Sequence, residues 1–232
     1  MIFQNYLSPR FINLHTHNPT GDPDVLEIES VYFGQEASNT PGYRSVGLHP
    51  WHLRGLDLEA AEHWLREQAV FPEMLAIGEA GLDKVTDTPW EIQMDAFGRC
   101  LRVAADTGKP LIVHCVRAFG EVVQMLGHPG SRSAHRPGKV VFHGFDKHPQ
   151  TAGMLLRAGC SLSFGAALFR EDGHAAEALR HVPADRFFLE TDVQKIDIRA
   201  VYARAAEIRQ TSIPAVMEQV WENFQHLLNE RA

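Results

Sequence analysis

The chain has 232 residues, 44% hydrophobic and 22% charged, with 22 basic against 29 acidic side chains and a formal charge of −7. That size holds a sizeable core and suits an α/β barrel, so one domain over residues 1–232 is expected. The acidic balance argues against binding nucleic acid through bulk positive charge, yet leaves room for an enzyme acting on phosphates, because bound cations invert the local field.

The opening stretch MIFQNYLSPR has no basic segment followed by an apolar one, so no signal peptide is expected. The apolar run FINL (11–14) then leads into His15 and His17. VLEIESVYF (25–33) and RSVGL (44–48) are the next strand candidates, with no room for a normal helix between them. A helical pattern over 57–69 precedes MLAIG (74–78). Over 90–107, Ile92, Phe97, Leu101 and Ala104 recur at helical spacing, and TGKP stops the helix with Gly108 and Pro110. PLIV (110–113), KVVF (139–142), CSLSF (160–164) and RFFLE (186–190) complete the strands; helical patterns at 117–127, 148–158, 173–181, 197–209 and 213–229 complete the helices. Eight near-continuous apolar strands alternating with helices imply a parallel sheet covered by helices. The expected fold is a (β/α)8 TIM barrel, slightly irregular near the second strand; a doubly wound open sheet is the alternative. No uncharged apolar stretch approaches transmembrane length. Cys100, Cys115 and Cys160 are widely spaced and odd in number, which fits reduced thiols in a cytoplasmic protein. No membrane association and no obligate protein partner is expected.

The polar residues that follow these runs form a series. FINL is followed by His15 and His17, SVGL by His49, LAIG by Glu79, LIV by His114, VVF by His143, and FFLET by Asp192. In a parallel barrel all strand carboxyl ends face one mouth, where active sites are built. Residues i and i+2 of a strand project to one side, so His15 and His17 can clasp one cation. Singly, each residue has a plainer role: a core histidine bonded to backbone, an ion-paired Glu79, an N-capping Asp192. Capping and core packing predict no such recurrence at successive strand ends. The set exceeds what one tetrahedral ion needs and suits two metals with a bridging carboxylate.

The stretches NLHTH, VGLHPW, AIGEAGLD, LIVHC, VFHGF, SFGAALF and FFLETD, in this order over nearly the whole chain, resemble the TatD family of metal-dependent hydrolases in the amidohydrolase superfamily. The resemblance implies that His15, His17 and Asp192 bind one divalent ion, that His114 and His143 bind a second, and that Glu79 bridges them. It further implies that Asp192 moves protons between water and substrate, with Asp192 and Glu79 as the catalytic carboxylates. The implied activity is phosphodiester hydrolysis at a DNA end, as a 3'-5' exodeoxyribonuclease; a small-molecule amidohydrolase, lactonase or phosphoesterase is the alternative. Zinc, manganese or magnesium could serve, with histidine-rich ligation favouring the first two.

Three departures touch mouth loops: VQKI follows LETD, Arg117 stands three residues after His114 rather than two, and the segment after His17 is compressed. His49 and Arg117 are candidates to hold a substrate phosphate. Trp51 could stack on a base, and His52 reads as a capping or surface residue. Arg132, Arg136 and Lys139 precede a strand and read as a solvated loop on the opposite barrel face.

Overall fold

The computed structural model describes residues 11–127 and 136–228. Eight parallel strands lie side by side in chain order: β1 (Phe11–Thr16), β2 (Val25–Tyr32), β3 (Tyr43–Gly47), β4 (Met74–Asp83), β5 (Leu111–Val116), β6 (Val140–Phe142), β7 (Ser161–Phe164) and β8 (Phe187–Leu189). The last strand returns to the first. Asp192 N donates to His15 O at 3.0 Å, and His17 N donates to Asp192 O at 3.0 Å. The buried Asn13 side chain ties the same seam, accepting from Thr191 N at 2.9 Å and donating to Thr191 Oγ1 at 2.9 Å. The barrel is thus closed, and the open-sheet alternative is ruled out.

Among the described residues there are seven α-helices: α1 (Leu58–Gln68), α2 (Trp90–Thr107), α3 (Phe119–Leu126), α4 (Pro149–Arg157), α5 (Ala175–His181), α6 (Ile198–Arg209) and α7 (Ile213–Leu228). Helix α2 buries Phe97, Cys100, Leu101 and Ala104, the stripe its periodicity predicts, and ends at Gly108 in the left-handed conformation at φ 68°. A fully buried side chain the size of Phe97 contributes about 1.5–3 kcal/mol. Among the described residues, no helix is long and apolar enough to cross a membrane.

The irregularity expected near the second strand is wider than the sequence suggested, because neither β1 nor β2 is followed by a helix. Two carboxylates of β2 organise the loops instead. Glu27 Oε2 accepts from Thr20 N at 2.7 Å and Gly21 N at 3.0 Å. Glu29 accepts from Ser38 N at 2.7 Å and from Arg44 Nε at 3.0 Å. The buried Glu29 carboxylate needs such donors, and loop backbone amides have them to offer.

Strand ends also differ from the sequence reading. β4 runs on to Asp83, so Glu79 sits mid-strand, while His15 and His114 lie within β1 and β5. The apolar run stops where a polar residue turns inward, but the backbone ladder continues. Register slips by one residue in β1 between Asn13 and Thr16, and in β4 between Ile77 and Ala80. Such irregularities re-aim side chains: Asn13 turns to Thr191 while His15 turns to Glu79. The Gly78–Glu79 peptide within the second slip is cis.

The reading of Arg136 as part of a solvated loop is corrected. Its guanidinium donates to Leu126 O at 3.1 Å, Gly127 O at 2.6 Å and Ala158 O at 2.5 Å, satisfying carbonyls at the ends of α3 and α4. Arg132 lies outside the described residues.

Candidate metal centre

Glu79 lies at the middle of a ring of imidazoles. Its Oε2 is 3.3 Å from both His15 Nε2 and His17 Nε2. Its Oε1 is 2.6 Å from His114 Nδ1, 2.8 Å from His143 Nε2 and 3.0 Å from His49 Nε2. Asp192 Oδ1 stands 3.6 Å from His15 Nε2 and 3.7 Å from His17 Nε2. The structure therefore brings His15, His17, Glu79, His114, His143 and Asp192 together at one end of the barrel. His15, His17 and Asp192 form one group of converging ligand atoms, and His15, Glu79 and His143 another.

The donor set fits divalent cations. His15 is fully buried and both its ring nitrogens lack a hydrogen-bond partner, although Nε2 points between two carboxylates. Leaving imidazole nitrogens unpaired in the interior costs free energy that coordination would recover. Burial lowers the affinity of His15 for a proton, but the Asp192 and Glu79 carboxylates outweigh it and lift its pKa to about 9. His143 is raised well above its ordinary value, burial again being overcome by Glu79 and Glu190. Burial raises Glu79, but His143, His114 and His15 together hold it well below the usual carboxylate range.

Two further carboxylates stand behind the ring, and the sequence reading passed over both. Asp83 Oδ2 is 3.3 Å from His114 Nε2 and accepts from Trp51 Nε1 at 2.6 Å; its Oδ1 accepts from Val85 N at 2.7 Å. Glu190, fully buried, accepts from Gly144 N at 2.6 Å and lies 3.5 Å from His143 Nδ1. Asp83 holds the His114 imidazole with its other nitrogen toward Glu79, which sets the ring's orientation, and Glu190 faces His143 Nδ1 as a charge partner. Period-two spacing could have found Asp83, four residues after Glu79, had the strand been carried past the apolar run. Glu190 was visible two residues before Asp192.

His49 caps the short turn Pro50–His52, its Nδ1 accepting from Trp51 N at 3.1 Å. That leaves Nε2 as the protonated nitrogen of the neutral ring, donating to Glu79. Both nitrogens are thus engaged within the protein. His52 stacks on Tyr32 with centroids 4.1 Å apart. Arg117 is exposed at the end of β5 with φ 56°, and Asp192 has φ 53°. Both are non-glycine residues in the left-handed region, where strain concentrates at functional sites.

The model of the family described as TatD related DNase matches residues 26–229. The chain belongs to the TatD family of metal-dependent hydrolases. It is similar to the 3'-5' ssDNA/RNA exonuclease TatD of Musicola paradisiaca, 32% identical over 200 residues, which are 83% of this chain and 74% of that protein. It is also similar to YabD of Bacillus subtilis, an uncharacterized metal-dependent hydrolase, at 28% over 153 residues; there the match spans 65% of this chain and 58% of the relative. In fold it matches the crystal structure of YjjV, the TatD homologue of Escherichia coli K12, with a TM-score of 0.79 at 21% identity, covering 96% of this chain and 99% of that one.

Two of the three departures noted above meet in space. The short β1–β2 loop and the VQKI segment line a cleft of about 680 Å3 beside His17, with Asn18, Thr20, Gln194, Lys195 and Ile196 on its walls. In this TatD-family chain the cleft opens next to the His15–His17–Asp192 group.

Cation binding here must displace protons, because ligating imidazoles are neutral. With His15 at about 9 and His114 and His143 also raised, neutral protein without metal holds protons that a metal expels. Affinity for zinc or manganese, measured by chelator competition, is expected to climb by about tenfold or more per pH unit from pH 6 toward 9, with proton release into weak buffer. A flat profile would show that these histidines are not the ligands.

Proposed function

We propose that this chain is a 3'-5' exonuclease acting on single-stranded DNA ends through a binuclear divalent-metal centre. His15, His17 and Asp192 would hold one cation and His114 and His143 the other, with Glu79 as the carboxylate shared between them. Histidine-rich ligation favours zinc or manganese over magnesium. Bound cations supply a water-derived nucleophile at neutral pH and polarise the phosphoryl group. What supports nucleic acid over a small ester or amide is the activity named for the 32% identical relative. The unpaired cysteines fit a reducing compartment such as the cytoplasm.

What supports giving proton transfer to Asp192 is exposure. The Asp192 side chain is 33% exposed, against 4% for Glu79, 3% for Asp83 and 0% for Glu190. Of these four carboxylates, Asp192 best reaches both an attacking water and a substrate oxygen, so it takes the proton from one and returns it to the other. Burial raises its pKa, but His15 and His143 outweigh burial and keep it ionised below its ordinary value, as a base requires. Glu79, enclosed by imidazoles, holds the ring together and presents one oxygen to each side. With both nitrogens of His49 engaged, Arg117 is the better phosphate ligand of the two residues expected for that task.

The test is metal-reconstituted protein on end-labelled linear single strands, closed circles and duplexes, beside a panel of esters, amides and lactones. Stepwise release of mononucleotides from linear single strands is expected. Circle cutting would contradict end recognition, and cleavage of small molecules alone would replace the nuclease reading. Arg117→Ala is expected to raise KM about tenfold with a smaller change in kcat, since a phosphate contact present in the ground state is lost. A fall in kcat at constant KM would remove Arg117 from substrate binding.

A further inference from the structure

Four of the seven exposed large hydrophobic residues among those described lie on loops that follow strands at the mouth: Trp51 after β3, Val85 after β4, Phe169 after β7 and Val193 after β8. The cations there are mostly spent. Arg54 faces Asp87 at 3.6 Å, Arg170 faces Asp146 at 3.5 Å, and Lys84 pairs with Glu121. A rim with so few free charges cannot hold a strand by a row of phosphate contacts. Apolar surface gathered round a charged centre needs another explanation, since scattered exposure would need none.

Trp51 stands out among the four. It is 55% exposed, yet its indole is not free to swing. Nε1 donates to the buried Asp83 at 2.6 Å, and its backbone N–H is held by His49 at 3.1 Å. Its ring meets His49 and His114 edge to face, with centroids 5.1 and 5.7 Å apart. One part of the indole therefore packs on imidazoles that border Glu79, while the rest faces solvent beside the reacting position. An aromatic surface held by a buried hydrogen bond loses little entropy when a flat ligand settles on it.

We infer that Trp51 is a stacking platform for the nucleobase next to the scissile phosphate, so that this TatD-family chain recognises a strand end by base stacking on an aromatic face. This rests on the nuclease reading above and adds the part of the substrate that supplies affinity. Stacking is sequence-tolerant, because every base has a π face, and needs no positive charge from the ring. It fits an acidic chain of net charge −7.

The experiment is a cycle of variants and substrates on metal-loaded protein of measured metal content. Trp51→Ala and Trp51→Phe are compared on a short single strand and on the same strand with an abasic residue at the end that is cut. Trp51→Phe keeps an aromatic face, though a smaller one, and loses the bond to Asp83 as Trp51→Ala does, so it corrects for any shift of His114. Trp51→Ala is expected to raise KM on the normal strand on the order of ten- to a hundredfold relative to Trp51→Phe, and to leave KM on the abasic strand nearly the same. Equal losses on both strands would overturn the platform while leaving the nuclease reading intact. Failure of the wild-type chain to cut either strand would overturn that reading and the platform with it.

Discussion

Asp192→Asn should leave metal bound and reduce kcat by about 10²–10⁴-fold. The amide keeps the size of the side chain and a neutral oxygen beside His15 and His17, but it cannot take up a proton. Because one negative charge is lost next to two imidazole ligands, affinity for the ion on that side falls, and the assay must be run at saturating metal with content checked by elemental analysis. Asp192 also follows directly on the seam that closes the barrel, its backbone bonded to His15 and His17 at 3.0 Å, so folding should be confirmed by thermal melting. Turnover that returned to the wild-type rate once metal was saturating would reduce Asp192 to a ligand and transfer the proton role elsewhere.

Gly81→Ala should be as damaging through an unrelated cause. A Cβ at residue 81 would lie 1.8 Å from His114 O, a backbone atom of the neighbouring strand that cannot rotate aside. β4 and β5 pair Gly81 with His114, so relief requires the two strands to part where Glu79 and His114 meet. Overpacking of this kind costs about 3 kcal/mol or more, a fall in Tm on the order of 10 °C for a chain of this length. The same displacement moves His114 away from Glu79 Oε1, so metal content should fall as well. An alanine variant with unchanged Tm and full metal loading would mean that the strands do not approach this closely in solution.

Much of this protein is legible in its sequence. Period and punctuation placed the helices, as at 90–107, where the predicted and observed limits coincide. Near-continuous apolar strands alternating with helices made the parallel barrel the natural arrangement, and polar residues recurring after six of the eight apolar runs marked one mouth. His15, His17, Glu79, His114, His143 and Asp192 could be picked out because residue type and order carry that information, however distant the positions are along the chain.

Tertiary structure alone decided which residues serve these six. Asp83 and Glu190 gain meaning only through the atoms opposite them, Nε2 of His114 and Nδ1 of His143. His49, a candidate substrate contact, meets a turn amide with one nitrogen and Glu79 with the other, a placement that no local pattern shows. Arg136 read as solvated because nothing local needs it; the carbonyls it satisfies belong to two helices brought together by the fold. Residue type and local periodicity are properties of short segments, whereas hydrogen-bond satisfaction and close backbone approach depend on pairs of atoms far apart in the chain. The chemistry offered at the mouth is thus written in the order of residues, and the orientation of each imaginable ligand is settled only when eight strands close on one another.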